Sequence, residues 1–387
     1  MSSKEWRKYI FSDFVTINPF VKLDPSKEYS FVEMKDLNEN NKYAYPSAQR
    51  KPTGGARFQD RDTLFARITP CLENGKICQV KQLCNGVGFG STEFLVFRGK
   101  AGISDIDFVY YLSRFNEVRR FAEQNMHGTS GRQRVTREAF DKLEIKLPPL
   151  PTQRRIADVL SALDDKIELN RQTNATLEAI SQAILKEWFV DFNFPGATGE
   201  LVESELGMIP KGLRVGKLGE IVEFCYGKGL KSENREIGGF PVVGSNGILG
   251  THSKYLVEGP GIVIGRKGTI GAVTWIQNNF FPIDTTFFIK DLLSVGKLYF
   301  HYFLLRNQDF QKIASDTAVP GLNRNQGYNN LITIPSNNII IYFNDLAHHL
   351  FELINCNTQQ IANLTKVRDF LLPKLLSGEI DLDDLQM

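Results

Sequence analysis

Two windows of this chain contain neither glycine nor proline, and they constrain the fold more than any other feature. One runs from Thr152 to Phe194 and the other from Ser336 to Leu372, in a chain of 387 residues with 32 glycines and 16 prolines elsewhere. Breaker-free windows of this length are where long helices form. In the first, positions three and four apart are mostly apolar: Ile156, Leu160, Leu163, Ile167, Asn170, Asn174, Leu177, Ser181, Ile184 and Trp188. The second repeats the spacing through Phe343, Ala347, Leu350, Ile354, Asn357, Ile361, Leu364, Arg368, Leu371 and Leu375. Such stripes form the seam between paired helices. Thr152 is placed to cap the first helix after LPPLP, and Gly378 to end the second. Each helix of about 37 residues would extend ~55 Å at ~1.5 Å per residue.

The two stripes align at an offset of 187, which sets Pro148 on Pro335, Ile167 on Ile354, Asn170 on Asn357 and Leu177 on Leu364. The correspondence continues upstream. DTLFARITPCLENGKI from Asp62 aligns with GIVIGRKGTIGAV from Gly261 at 199, and WRKYIFSDFVTIN from Trp6 with LRVGKLGEIVEF from Leu213 at 207. The offset falls along the chain, so the first copy carries about 20 extra residues in loops. A period near 190 is too long for a solenoid and is a duplicated domain. The expected architecture is mixed α/β (α+β). Two tandem globules, 1–150 and 205–335, would be separated by long helices, 151–194 and 336–378, packed as an antiparallel coiled coil with a pseudo-two-fold internal repeat. Leu163, Ile167, Asn170, Leu350, Ile354 and Asn357 are the helix-pairing candidates. Paired in this way, Asn170 and Asn357 would meet near the axis and fix register; two solvated polar breaks in separate helices are the alternative.

Exclusions narrow the function. The five cysteines are odd in number and include no Cys-x-x-Cys, so neither a disulfide framework nor a zinc site is expected. MSSKEWRKYIFSDF carries no apolar signal region, and no run reaches the ~18 apolar residues of a membrane span, so a cytoplasmic protein is expected. There is no P-loop, no Gly-x-Ser-x-Gly and no His-Glu-x-x-His. His348-His349 reads as helix surface, Asp164-Asp165 and Asp383-Asp384 have no supporting partners in the sequence, and EIDLDDLQM reads as a solvated tail. No catalytic residue and no metal ligand is assigned.

The formal net charge is only +2, but it is unevenly spread. Residues 41–70 hold six basic side chains against two acids, including Arg50, Lys51 and Arg57; residues 114–142 hold seven against four. The loop HGTSGRQRVTR sets Arg132, Gln133, Arg134 and Arg137 beside two glycines, and the matching GLNRNQGY sets out Asn323, Arg324, Asn325 and Gln326. VGSNGILG and GRKGTIG add Ser245, Asn246, Arg266, Lys267 and Thr269. Forked donors and acceptors suit base edges in the major groove, and glycine lets backbone amides approach phosphate. Taken singly these are surface turns; their recurrence in both copies favours a DNA-reading surface.

In IKLPPLPTQRRIADVLSALDDKIELN, FLLPKLLSGEIDL, ELGMIPKGLRVGKLGEI and GPGIVIGRKGTIG, in that duplicated order, the chain resembles the specificity (S) subunit of type I restriction–modification enzymes. The resemblance implies two target-recognition domains, each reading one half of a bipartite sequence in double-stranded DNA. It implies that the helices space the domains and dock two methyltransferase (modification) subunits, with restriction subunits completing the complex. S-adenosylmethionine would be bound by those partners, with no cofactor on this chain. A helix of this length spans more than one DNA turn of about 34 Å. The second helix begins NNIIIYFNDLAHHLF where the first has PTQRRIADVL, so loss of the Gln-Arg-Arg would make the two docking surfaces unequal. A coiled-coil scaffold without DNA readout, and an enzyme with an unrecognised site, are the competing readings.

Overall fold

The computed structural model describes residues 6–129, 131–315 and 321–382. They form two compact units, Met1–Arg171 with Gln359–Met387, and Gln172–Thr358. Each unit holds one globule together with a share of both long helices, Leu150–Phe189 and Asn337–Ser377.

The N-terminal unit opens on strand Arg7–Ile10, which pairs antiparallel with Glu144–Leu147 just before the first long helix. Its main sheet runs in the order Val15–Ile17, Phe94–Gly99, Thr63–Ala66, Ile77–Val80, Tyr43–Ala44. A second sheet orders Ala48–Arg50, Tyr29–Val32, Val87–Gly90 and Ala56–Gln59. The central strands TLFA and ICQV are buried at every position, as expected for a sheet covered on both faces. Helices Ile106–Arg114 and Asn116–Gln124 supply Phe108, Tyr110, Tyr111 and Val118 to a core that also takes in Ile156 and Leu160 of the first long helix and Leu375 and Leu376 of the second.

The second unit repeats this plan. Arg214–Lys217 pairs with Leu331–Ile334 just before the second long helix, and a sheet orders Val222–Tyr226, Thr286–Asp291, Gly261–Gly265 and Val273–Ile276. This is the order of the first four strands of the N-terminal main sheet, so the duplication read from the sequence is a duplication of topology. A three-stranded sheet of Gly247–His252, Phe240–Gly244 and Phe281–Pro282 stands beside it. Leu185 and Trp188 of the first long helix and Phe343, Ala347 and Phe351 of the second join its core.

The helices run antiparallel within each unit. In the N-terminal unit Asp164 faces Arg368 and Asn170 faces Gln360; in the second Asn174 faces Asn357 and Trp188 faces Phe343. Two expectations change, the Thr152 cap and the pairing of Asn170 with Asn357. Thr152 does not cap the first helix, which starts at Leu150 and carries Pro151 in its first turn, where a missing amide leaves no bond unmade. The second helix continues through Pro373 to Ser377 before Gly378 ends it with a φ of 75°. Asn170 and Asn357 are not each other's partners: Asn170 donates to Gln360 at 3.1 Å and Asn357 to Asn174 at 2.9 Å.

The beginning of the first helix also differs from its reading as docking surface. Gln153 is buried; its amide donates to the carbonyls of Pro148 and Ile103, and its oxygen accepts from the Asp105 amide. Arg155 donates to the Leu382 carbonyl at 2.9 Å. Two members of Gln-Arg-Arg therefore tie the helix to its own unit. In the second unit buried Asn344 makes comparable ties, accepting from the Phe300 amide and donating to the Lys297 carbonyl.

Candidate nucleic-acid interface

In the second unit the fold draws the scattered sequence candidates together. Strand Gly261–Gly265 ends at Arg266, whose amide and that of Lys267 both donate to the Thr285 carbonyl. The guanidinium of Arg266 lies 5.1 Å from the ring centre of Tyr226, at the end of strand Val222–Tyr226, which is separated from Gly261–Gly265 by strand Thr286–Asp291. Arg324, at the start of the short helix Arg324–Tyr328, approaches the same ring at 5.5 Å. Two cations on one half-exposed aromatic ring are preorganised, because stacking limits their rotamers before any ligand arrives. Thr269 donates to Asn246 at 3.4 Å, and a Cβ on Gly268 would lie 3.0 Å from Ser245 Oγ, so both hairpin loops reach the same place. Asn323 is used locally: its side-chain oxygen accepts from the Asn325 amide and caps that helix. Gln326 is half-buried, and its Oε1 has no partner among the described residues.

The N-terminal unit separates its candidates. Arg57 lines a cleft of about 490 Å³ together with Arg67, Phe20 and Thr92. Arg132 and Arg137 are exposed, whereas Gln133 is half-buried and its backbone pairs with Thr69. Arg134 is already engaged: its Nε and Nη2 grip both oxygens of Glu93 at 2.7–3.0 Å. Those bonds hold the Glu93 carboxyl below its ordinary range and raise Arg134. A guanidinium fork occupied by a carboxylate cannot grip a base edge until that pair opens. Arg50 pairs with Glu33 at 2.9 Å and lies over Phe31, and Lys51 follows it, exposed; among the described residues no bond joins either to the other candidates.

One backbone bond matches the two units closely. The Val135 amide donates to the Arg67 carbonyl at 2.9 Å, and the Leu322 amide donates to the Arg266 carbonyl at 2.9 Å. Arg67 and Arg266 are the residues that the repeat aligns at 199, so that alignment held the signal for Arg67, which the charge count did not single out. Tyr226, Phe20 and Glu93 also escaped sequence reasoning, because an aromatic after a strand reads as core and a lone acid as surface. Lys42 is a contrary case. It belongs to the basic cluster in sequence but is buried, donating to Ser161 at 2.7 Å, and burial pushes its ammonium pKa down. The paired carboxylates need correction too. Asp164 accepts from Tyr111 and Arg368, and Asp165 from Tyr43 at 2.6 Å, so both are structural; Asp383 and Asp384 lie outside the described residues.

Of the helix-pairing candidates, Ile167 and Asn170 are buried, while Leu163, Leu350, Ile354 and Asn357 are half-buried. His348 meets the Tyr299 hydroxyl at 3.0 Å. Cys78 is buried, and burial pushes its thiol up to about 11. Among the described residues no His, Cys, Asp and Glu cluster has the makings of a metal site, and no helix is long and apolar enough to cross a membrane.

Comparison with known proteins agrees with this arrangement. The family described as type I restriction modification DNA specificity domain matches residues 3–179 and 210–363, one match for each copy of the repeat. The chain is 26% identical to the HindI specificity subunit of Haemophilus influenzae, over 82% of this chain and 86% of that one. It is 30% identical to the MjaIX specificity subunit of Methanocaldococcus jannaschii, over 72% and 70%. A crystal structure of the type I restriction–modification S subunit from M. genitalium shares the fold, with a TM-score of 0.60 at 18% identity and 96% of both chains covered. Duplicated topology, antiparallel helices and a match in each copy lead to one conclusion: the chain belongs to the family of type I restriction–modification DNA specificity subunits.

Proposed function

We propose that this chain is the non-catalytic, cytoplasmic DNA-recognition subunit of a type I restriction–modification complex, reading a bipartite duplex with one unit per half-site. The observation that carries the reading is the matched arginine, Arg67 in one unit and Arg266 in the other, each held through its carbonyl by the same amide bond. Arg266 and Arg324, ordered on Tyr226, are the base-reading candidates of the second unit, with Ser245, Asn246, Lys267, Thr269, Asn325 and Gln326 around them. Arg132 and Arg137 are exposed forks of the N-terminal unit without a side-chain hydrogen-bond partner among the described residues, and Glu93 holds the fork of Arg134. Phosphate contacts would supply salt-dependent affinity, and loop contacts the sequence choice.

Two methyltransferase subunits would dock on the long helices, which keep large apolar side chains outward: Leu169 and Phe370 in the N-terminal unit, Ile180 and Leu353 in the second. Those subunits would bind S-adenosylmethionine and flip the adenine out of the stack; restriction subunits would add cleavage. Methylome sequencing of cells with and without the chain tests the reading. Loss of one bipartite methyladenine motif is expected, and an unchanged methylome would refute it.

A further inference from the structure

The cleft of the N-terminal unit is built from parts that no sequence motif marks. Phe20, just beyond strand Val15–Ile17, stands at its rim with 85% of its surface exposed and no aromatic partner among the described residues. Arg57 and Arg67 line it and no carboxylate does. Glu93, an acid that feels the charge of Arg67, has both oxygens taken by Arg134. The buried Nε of Arg67 has no hydrogen-bond partner among the described residues, a costly state unless a ligand completes it. Gly55 forms part of the wall at a φ of 89°, and a Cβ there would lie 1.9 Å from the Gly90 carbonyl oxygen, so the chain can pass only as glycine. At about 490 Å³ the cleft falls within the range of small-ligand sites, roughly 300–1,000 Å³.

Two cations, an exposed aromatic ring and room for more than a bare anion describe a nucleotide. We propose that this cleft receives one nucleotide unit of the bound DNA strand, its phosphate on Arg57 and Arg67 and its sugar–base face against Phe20. The second unit carries a related pair, Tyr226 beside Arg266, on the corresponding strand ends, so the aromatic–arginine combination occurs in both copies. The proposal rests on the DNA-reading function and adds the place where the strand is anchored. The anchor is blind to sequence, because phosphate and sugar are common to every nucleotide.

The test uses the full chain assembled with its methyltransferase partner and the duplex that complex methylates, carrying single neutral methylphosphonates along each strand. In the wild type one position in the N-terminal unit's half-site should weaken binding roughly tenfold, as for loss of one charge-assisted bond. In Arg67→Ala that position should carry no further penalty, the slope of log affinity on log salt should fall by about one, and the methylated sequence should stay the same. Arg67→Lys should restore part of the salt slope. Phe20 lies outside the core, so Phe20→Ala keeps the test standing if Arg67→Ala fails to fold; it should weaken target binding about fivefold. If the wild type selects its target yet every methylphosphonate penalty survives in Arg57→Ala and Arg67→Ala, or Phe20→Ala binds as the wild type, the anchor is refuted while DNA reading stands. A wild-type complex that binds target and scrambled duplex alike refutes the reading itself, and the anchor with it.

Discussion

Asp164 of the first long helix and Arg368 of the second form an ion pair at 2.7 Å, with side chains 2% and 3% exposed. Asp164 also accepts from Tyr111 at 2.8 Å, which joins both helices to the globule of the N-terminal unit. Arg368 stands in the apolar stripe of its helix, and the pair explains how a cation is accommodated there. Ion pairing with Asp164 offsets burial and raises the arginine further above its ordinary value. Removing one partner leaves a buried charge without compensation. Arg368→Met and Asp164→Leu should each cost about 3–5 kcal/mol in urea unfolding, and the double replacement well under the sum. Single variants as stable as the wild type would show that the pair does not hold the helices.

Arg266 and Arg324 share the ring of Tyr226, so removing the ring should disturb both. Arg324→Ala should relax the preference in one half-site by about 1–3 kcal/mol, seen as degenerate bases in that half of the methylated motif. Tyr226→Leu should relax the same half without touching the other. A uniform loss of methylation at all sequences would instead identify Arg324 as a phosphate contact.

Glu93 and Arg134 predict a pH effect of definite sign. The arginine bonds hold Glu93 below its ordinary value of 4.5, with burial opposing them, so the folded state binds its proton less readily than the unfolded chain. The stabilisation is therefore complete above that ordinary value and is lost as the pH falls through the lower folded one. Glu93→Gln should remove this acid-side dependence while costing under about 1 kcal/mol at neutral pH, since the pair is part-exposed. If Arg134 acts through Glu93, Arg134→Ala and Glu93→Gln should impair the same half-site; a change in sequence preference with Arg134→Ala alone would mean direct readout.

Asn357 donates to Asn174 at 2.9 Å, and Asn174 in turn reaches the Ile354 carbonyl and Thr358. Asn357→Leu should leave the Asn174 oxygen unpaired and destabilise the second unit by about 1–3 kcal/mol in thermal unfolding. Replacing both by leucine should recover part of that loss, and a double variant worse than the single would refute the pairing.

The long helices and the repeat were legible, the helices through local periodicity and the repeat through self-alignment of the chain, whereas the strand order, set by long-range pairing, was not. Glycine and proline are absent where the long helices run, and buried strands such as TLFA and GIVIG are continuously apolar. The recognition loops were legible only as composition. RQR looks like three free forks in sequence, yet Glu93, 41 residues upstream, occupies the Arg134 fork. Lys42 adds to a basic cluster in sequence and is buried against Ser161, 119 residues away.

The sequence alone determined that one domain is used twice, that each copy ends in a long amphipathic helix, and where basic and amide side chains gather on loops. These follow from interactions among residues a few positions apart. Tertiary structure decided which cations remain free, that Arg266 and Arg324 meet on Tyr226, that Asn170 takes Gln360 as partner, and that Phe20, Arg57 and Arg67 enclose a cleft. The reason is physical: whether a charge is available or spent depends on which opposite charge or aromatic ring the fold brings within a few ångströms, and helix register and sheet order fix that only once the whole unit is assembled.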